Sequence, residues 1–180
     1  MSGLTAVLIN NLPAWQISIV FLASLLCMLV TGERWLRLIS VVASIAGFTV
    51  ACIIFIKLHL ADQGIAYEFG DWSAPIGIIF RIDVFNITFL LLSYLLLTLF
   101  TICFWDIVAD KLVVLLPQQR KRSLFYGLLF IFYTGLTGLL LTADLFNLYV
   151  FLEIFSLASY SLLSLGGDRR ALLGAFDYLI

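Results

Sequence analysis

Glu153 is the residue of this 180-residue chain whose type and place most directly suggest chemistry. It stands near the middle of residues 145–167, a stretch with no other Asp, Glu, Lys, Arg or His. An ionisable group at such depth in an apolar segment marks an ion path or a proton relay by default. A carboxyl there can take up and release a proton as a neighbouring charge moves. Tyr149, Glu153, Ser156, Tyr160 and Ser164 follow one another at spacings of four, three, four and four. One face of a helix therefore carries them all. The expectation is an inward-facing polar stripe in which Glu153 exchanges protons and Tyr149, Ser156 and Tyr160 line its path. A stripe of this kind also suits plain helix packing through hydrogen bonds. Glu is much rarer than Ser or Tyr in such stripes, which favours the ion path.

Other polar residues admit simpler readings. Asp83 and Asp144 each open an apolar segment, where an acid is stabilised by the helix dipole or acts as an N-cap. They are expected to be structural or accessory acids, with Asn147 completing a partial capping box after Asp144. His59 is the one histidine and lies near the end of its segment. Cys27, Cys52 and Cys103 are far apart, with no CxxC spacing, so no metal site is expected. Gly127, Gly135 and Gly138, with Thr134 and Thr137, form a small-residue face suited to close helix packing. No phosphate-cradling loop and no nucleophile–base pair is present, and no cofactor is expected.

The elements that must position Glu153 follow from composition. Hydrophobic residues make up 63% of the chain and charged residues 12%, about half of what a soluble domain carries. Lipid must cover much of the surface. A helix needs about 20 apolar residues to cross the hydrocarbon. Residues 12–30, 38–56, 84–105 and 123–143 lack ionisable side chains, and 145–167 contains only Glu153. Their continuous apolar character excludes a barrel, and backbone satisfaction in lipid requires helices. The expected fold class is an all-α polytopic membrane protein, residues 1–180 forming a single membrane domain. It has five transmembrane helices plus the start of a sixth, incomplete span from residue 171. The chain must turn near Thr142-Ala143-Asp144, because the fourth and fifth segments nearly touch.

Lys and Arg placement indicates the orientation. Eight of the ten basic residues fall in alternate connections: Arg34 and Arg37, then Lys111, Arg120, Lys121 and Arg122, then Arg169 and Arg170. Lys57 and Arg81 fall on the other side. These positions predict an N-terminus outside and basic connections in the cytoplasm. The connection 60–81, rich in Gly, reads as an ordered turn at the outer interface. The connection before Pro117 reads as a surface-lying segment. Residues 171–180 would rise about 15 Å as a helix, half the hydrocarbon thickness, so the span is expected to continue beyond residue 180. No Lys or Arg lies at mid-membrane depth. A cation partner for Glu153 must therefore come from other sequence. A net charge of −1 argues against a nucleic-acid partner.

The run Asp144-Leu145-Phe146-Asn147-Leu148-Tyr149-Val150-Phe151-Leu152-Glu153, continued by Ser159-Tyr160-Ser161-Leu162-Leu163, resembles the D subunit of Mrp-type cation/proton antiporters. It is also similar to the antiporter-like subunits of membrane-bound hydrogenases and respiratory complex I. Gly70-Asp71-Trp72-Ser73-Ala74-Pro75-Ile76-Gly77-Ile78, followed by Asp83, resembles the outer loop and third-helix start of those subunits. The resemblance implies that Glu153 occupies the place of the family's fifth-helix glutamate, which pairs with a lysine on the seventh helix. Phe176-Asp177-Tyr178-Leu179 stands where the family commonly has a Lys-Tyr pair.

The resemblance implies a proton-path part of a multisubunit monovalent cation/proton antiporter, a secondary transporter rather than an enzyme. Its partners would be other membrane subunits, protons and Na+ or K+, in the bacterial cytoplasmic membrane. Two alternatives stand beside it. One is a proton-pumping membrane subunit of a complex I-like NADH-quinone oxidoreductase or hydrogenase. The other is a non-transporting scaffold or truncated remnant.

Overall fold

The computed structural model describes residues 10–61, 64–72, 77–166 and 173–174. Five helices in it are long and apolar enough to cross a membrane. The first is α1 (Leu12–Leu29), which has a proline in its first turn and gives way to extended backbone at Val30. Pro13 suits that place because the missing N–H would have no helical acceptor. Next, α2 (Glu33–Ala61) has 29 residues and a rise of about 43 Å, longer than the hydrocarbon is thick. It therefore takes in Arg34, Arg37, Lys57 and His59, beyond the ionisable-free window 38–56. Charged side chains at helix ends reach the interface, and the helix need not stop where apolarity does.

After α2 comes a short antiparallel pair, β1 (Ile65–Glu68) and β2 (Ile79–Ile82), in the register Ile65↔Ile82 to Glu68↔Ile79. The sequence reading has only a turn here. Four-residue strands leave too little alternation to be distinguished from a loop. A single 3-10 turn, Phe69–Asp71, follows β1 and contains Gly70 at φ 65°, a left-handed conformation open to glycine.

Helix α3 (Val84–Cys103) begins after Asp83 and gives way at Phe104. It thus stops short of the end of the expected span 84–105. Phe104 leaves the helical conformation and a separate helix, α4 (Trp105–Leu115), takes over. Its buried face is Trp105, Ala109 and Leu112, continued by Leu116, while Asp106, Asp110 and Lys111 are exposed. Then α5 (Gln119–Leu141) and α6 (Leu145–Ser164) follow with three residues between them. Of residues 171–180, where a sixth span is expected to start, all but Leu173 and Gly174 lie outside the described residues. So do Arg169, Arg170, Asp177 and the run Ser73-Ala74-Pro75-Ile76.

Helices α1, α2, α3 and α5 pack around one core, and α6 lies against α5. Val20, Cys27, Ala51, Leu90, Tyr94 and Phe130 are fully buried in that core. Leu29, Leu60, Val114 and Leu145 are each about four-fifths exposed. Exposed apolar side chains in such number are at home only in lipid or against other apolar helices. The protein is an all-α, multi-pass membrane protein.

Candidate functional site

Glu153 lies on α6, and α6 is held mainly by α5. Of the α6 residues only Asn147 and Ala158 are buried, whereas α5 buries nine, among them Tyr126, Phe130 and Leu141. The contact is built from glycines. A Cβ on Gly135 would stand 2.7 Å from the backbone nitrogen of Phe155, and one on Gly138 would run into the Phe151 ring. In lipid no hydrophobic force joins two helices, so close backbone approach through small residues carries the association. Gly127, the third glycine of this face, serves a different neighbour: it meets Met28 and the Ser24 carbonyl on α1. Phe132 and Phe155 add a ring contact at 4.4 Å.

The side of α6 turned to α5 is thus Asn147, Phe151, Phe155 and Ala158. At about 100° per residue, Tyr149, Glu153, Ser156 and Tyr160 centre roughly 180° from it. Among the described helices, the expected inward-facing stripe therefore faces away from α5, the helix that holds α6. Periodicity shows that these residues share a face, and the glycines of α5 decide which face is covered. Tyr149 is 62% exposed and Glu153 half-buried, with the two in side-chain contact one turn apart. No ion pair to Glu153 appears among the described residues. Ser156 donates to its own helix, to the Leu152 carbonyl at 2.7 Å. Tyr160 is half-buried.

Asp144 caps α6: its carboxylate accepts from the Phe146 N–H at 3.1 Å and from Asn147 Nδ2 at 2.6 Å. Asp83 caps α3 in a full capping box, with Asn86 N–H donating to Asp83 Oδ1 and Asp83 N–H to Asn86 Oδ1, both at 2.9 Å. His59 is exposed and touches the Phe55 ring at 4.4 Å. Cys27, Cys52 and Cys103 are free thiols. No cluster of three potential metal-ligating side chains occurs among the described residues. Arg37 pairs with Asp106 at 3.2 Å, tying the start of α2 to α4.

Two features that position the site are invisible to the sequence reading. First, β2 clasps the turn before α6. Phe80 forms a bridge with Thr142, and the Ala143 N–H donates to the Ile79 carbonyl at 3.0 Å. These bonds take up backbone groups that a continuous helix would have used, which is why α5 and α6 separate there. Phe80 is 1% exposed and meets the rings of Phe69 at 5.0 Å and Phe151 at 6.4 Å. It thus joins the β1–β2 hairpin to the helix of Glu153. Phe80→Ala is expected to destabilise the fold by about 3–5 kcal/mol. It should also speed hydrogen exchange of residues 142–150, whereas unchanged exchange there would exclude the clasp.

Second, a buried polar node joins four helices. Gln16 Nε2 donates to the Gly47 carbonyl at 3.0 Å, and the hydroxyls of Tyr94 and Thr137 share a hydrogen bond at 2.9 Å. The Tyr94 hydroxyl also lies 3.4 Å from the Gln16 carbonyl it donates to. Gly47 makes room, since a Cβ there would run into the Tyr94 ring. Ser44 and Thr101 share a further bond at 2.8 Å. The one available signal was Gln16, the sole amide in residues 12–30, and a search for ionisable groups alone passes over it.

No family model matches the chain. It is 30% identical over 176 residues to the D subunit of the Na(+)/H(+) antiporter of Alkalihalophilus pseudofirmus, covering 95% of this chain and 33% of that protein. It is 52% identical over 61 residues to the N subunit of the NADH-quinone oxidoreductase of Desulforudis audaxviator, covering 34% of this chain and 12% of that protein. In fold it is similar to a chain of the membrane-bound sulfane sulfur reductase (MBS), an archaeal respiratory membrane complex. The TM-score is 0.70 at 23% identity, over 97% of this chain and 33% of that one. The chain spans about a third of the length of the antiporter relative it matches. Over nearly all of its own length, this chain is a homologue of the D subunits of Na+/H+ antiporters.

Proposed function

We propose that the chain is the proton-path part of a multisubunit monovalent cation/proton antiporter, in the bacterial cytoplasmic membrane with its N-terminus outside. Residues 1–180 act as one membrane domain, and Glu153 exchanges protons at mid-membrane depth. Tyr149, Ser156 and Tyr160 line the path. The observation that carries this reading is the direction of the polar face of α6. It points away from α5 and holds a carboxyl in an otherwise apolar span, so it needs a polar partner surface. Further helices or another subunit, carrying a cation toward Glu153, supply that surface. Asp83 and Asp144 serve the site indirectly, as caps that fix where α3 and α6 begin.

A second reading, a proton-pumping membrane subunit of a complex I-like oxidoreductase, is favoured by the match to the N subunit of a NADH-quinone oxidoreductase. The two differ in what drives the protons. Everted vesicles carrying the intact set of subunits, with an interior acidified in advance, separate them. Proton efflux on adding Na+ or K+ supports antiport. Proton movement that answers only to NADH or another reductant supports the second reading. No response to either leaves the chain a scaffold and overturns both.

A further inference from the structure

An open groove of about 360 Å3 runs between α1 and α2. Its floor holds the buried Ala23 and Ala43, with Ala46 beside them. Larger side chains at these places would fill it. Its rim is Leu22 and Leu26 on α1 and Leu38 and Val42 on α2, each about half exposed. Every side chain that lines it is apolar.

The short link 30–32 joins the two helices, so they run antiparallel and the groove runs along both. Leu26 and Leu38 stand at the end near that link, and Ile19 and Ala46 at the other. From Leu38 to Ala46 the helix rises about 12 Å. One leaflet contributes about 15 Å of hydrocarbon. The groove thus has the direction and the length of an acyl chain in a single leaflet.

Arg34 and Trp35 stand where the polar end of such a lipid would be. Arg34 is one turn before Leu38 and Trp35 one turn before Ile39, on the same face of α2. Both are exposed. Arg37 is engaged by Asp106, whereas the Arg34 side chain has no ion pair or hydrogen bond among the described residues. Glu33, the acid of this turn, lies about 160° round the helix from Trp35, toward α4 and α5. A guanidinium binds phosphate oxygens in pairs, and an indole favours headgroup depth. We propose that this groove seats one acyl chain of an anionic phospholipid, with the phosphate held by Arg34 and Trp35 beside it. A partner helix, about 10–12 Å across, would rest on the Leu and Val rim and leave the alanine floor empty. An acyl chain is thin enough to reach the floor.

The test is a cryo-EM map of the full membrane assembly in nanodiscs of phosphatidylglycerol and phosphatidylcholine. The expected result is tubular density in the groove that ends at Arg34. A protein helix there, or an empty groove in a map that shows other lipids, overturns the proposal. Native mass spectrometry reads the headgroup. Arg34→Gln should weaken retention of one phosphatidylglycerol about fivefold, the worth of one Arg beside anionic lipid, and leave phosphatidylcholine unchanged. Arg34 has no partner to lose, so the fold should tolerate the change. Arg34→Lys should keep most of the preference. Equal retention by wild type and Arg34→Gln overturns the phosphate contact. Ala46→Leu fills the groove and should displace the chain with Arg34 still in place, and unchanged density in that variant overturns the acyl seat.

Discussion

Glu153→Gln is expected to lower cation-driven proton flux in everted vesicles by about 100-fold, the scale lost when a proton-transfer group is removed. Gln keeps the length and the hydrogen-bonding carbonyl of Glu and lacks the exchangeable charge. The fold should tolerate it. The packed side of α6 is Asn147, Phe151, Phe155 and Ala158, and Glu153 lies across the helix from them. A loss of flux with the assembly intact on a native gel therefore isolates the chemistry from the packing. Glu153→Asp keeps the proton on a shorter arm and is expected to retain part of the flux. Tyr149→Phe removes the hydroxyl beside Glu153 and should slow transport less than Glu153→Gln. Wild-type flux in Glu153→Gln would sink the assignment of the proton path.

The second large effect concerns the seat of α6. Gly135→Ala should loosen α6 from α5 more than any other single methyl addition on that face. The added Cβ would meet the Phe155 backbone, its nitrogen at 2.7 Å and its Cα at 2.8 Å. Backbone cannot swing aside, so the whole helix must shift. Overpacking of this kind costs about 1–3 kcal/mol, occasionally more. In lipid, where close approach itself holds the helices, little compensates for it. Gly138→Ala meets first the Phe151 ring, and Gly127→Ala meets first the flexible Met28 side chain. Both neighbours can change rotamer. The expected order of destabilisation is Gly135, then Gly138, then Gly127. It can be read from disulfide trapping between cysteines placed on α5 and α6, together with thermal unfolding in detergent. Equal effects at Gly135 and Gly127 would mean that the α5–α6 contact is not the tight one.

The two predictions depend on each other through geometry. The glycines of α5 choose which side of α6 is covered, and so they aim Glu153. Phe80 and the bridge to Thr142 hold the N-terminal end of the same helix. A change at any of these places is expected to reach the carboxyl without touching it. Flux lost through Gly135→Ala should therefore come with altered α5–α6 trapping, whereas flux lost through Glu153→Gln should not.

The five spans were legible because lipid imposes one rule on every residue it touches: backbone polar groups must be satisfied within the segment, and side chains must be apolar. Long runs free of charge obey that rule in one dimension. The capping places of Asp83 and Asp144 were legible for a similar reason, since a cap acts on the next two or three residues. The end of α3 at Cys103 was not, because Trp105 turns into the core instead of continuing the span. Nor was the pairing of β1 with β2, where two short strands make a sheet only by meeting one another.

By itself, the amino-acid sequence determined the membrane class, the number of spans among the described residues, and the presence of one carboxyl within an apolar helix. Each of these depends on local composition and on period along the chain. Only the tertiary structure decided that the stripe of Glu153 faces away from α5 and that the β1–β2 hairpin clasps the turn before it. Gln16, Gly47, Tyr94 and Thr137 likewise meet in one buried node only in three dimensions. The reason is physical. A helix face is a property of spacing, but its partner is chosen by which distant glycine, ring or carbonyl can approach it closely, and spacing carries no record of that choice.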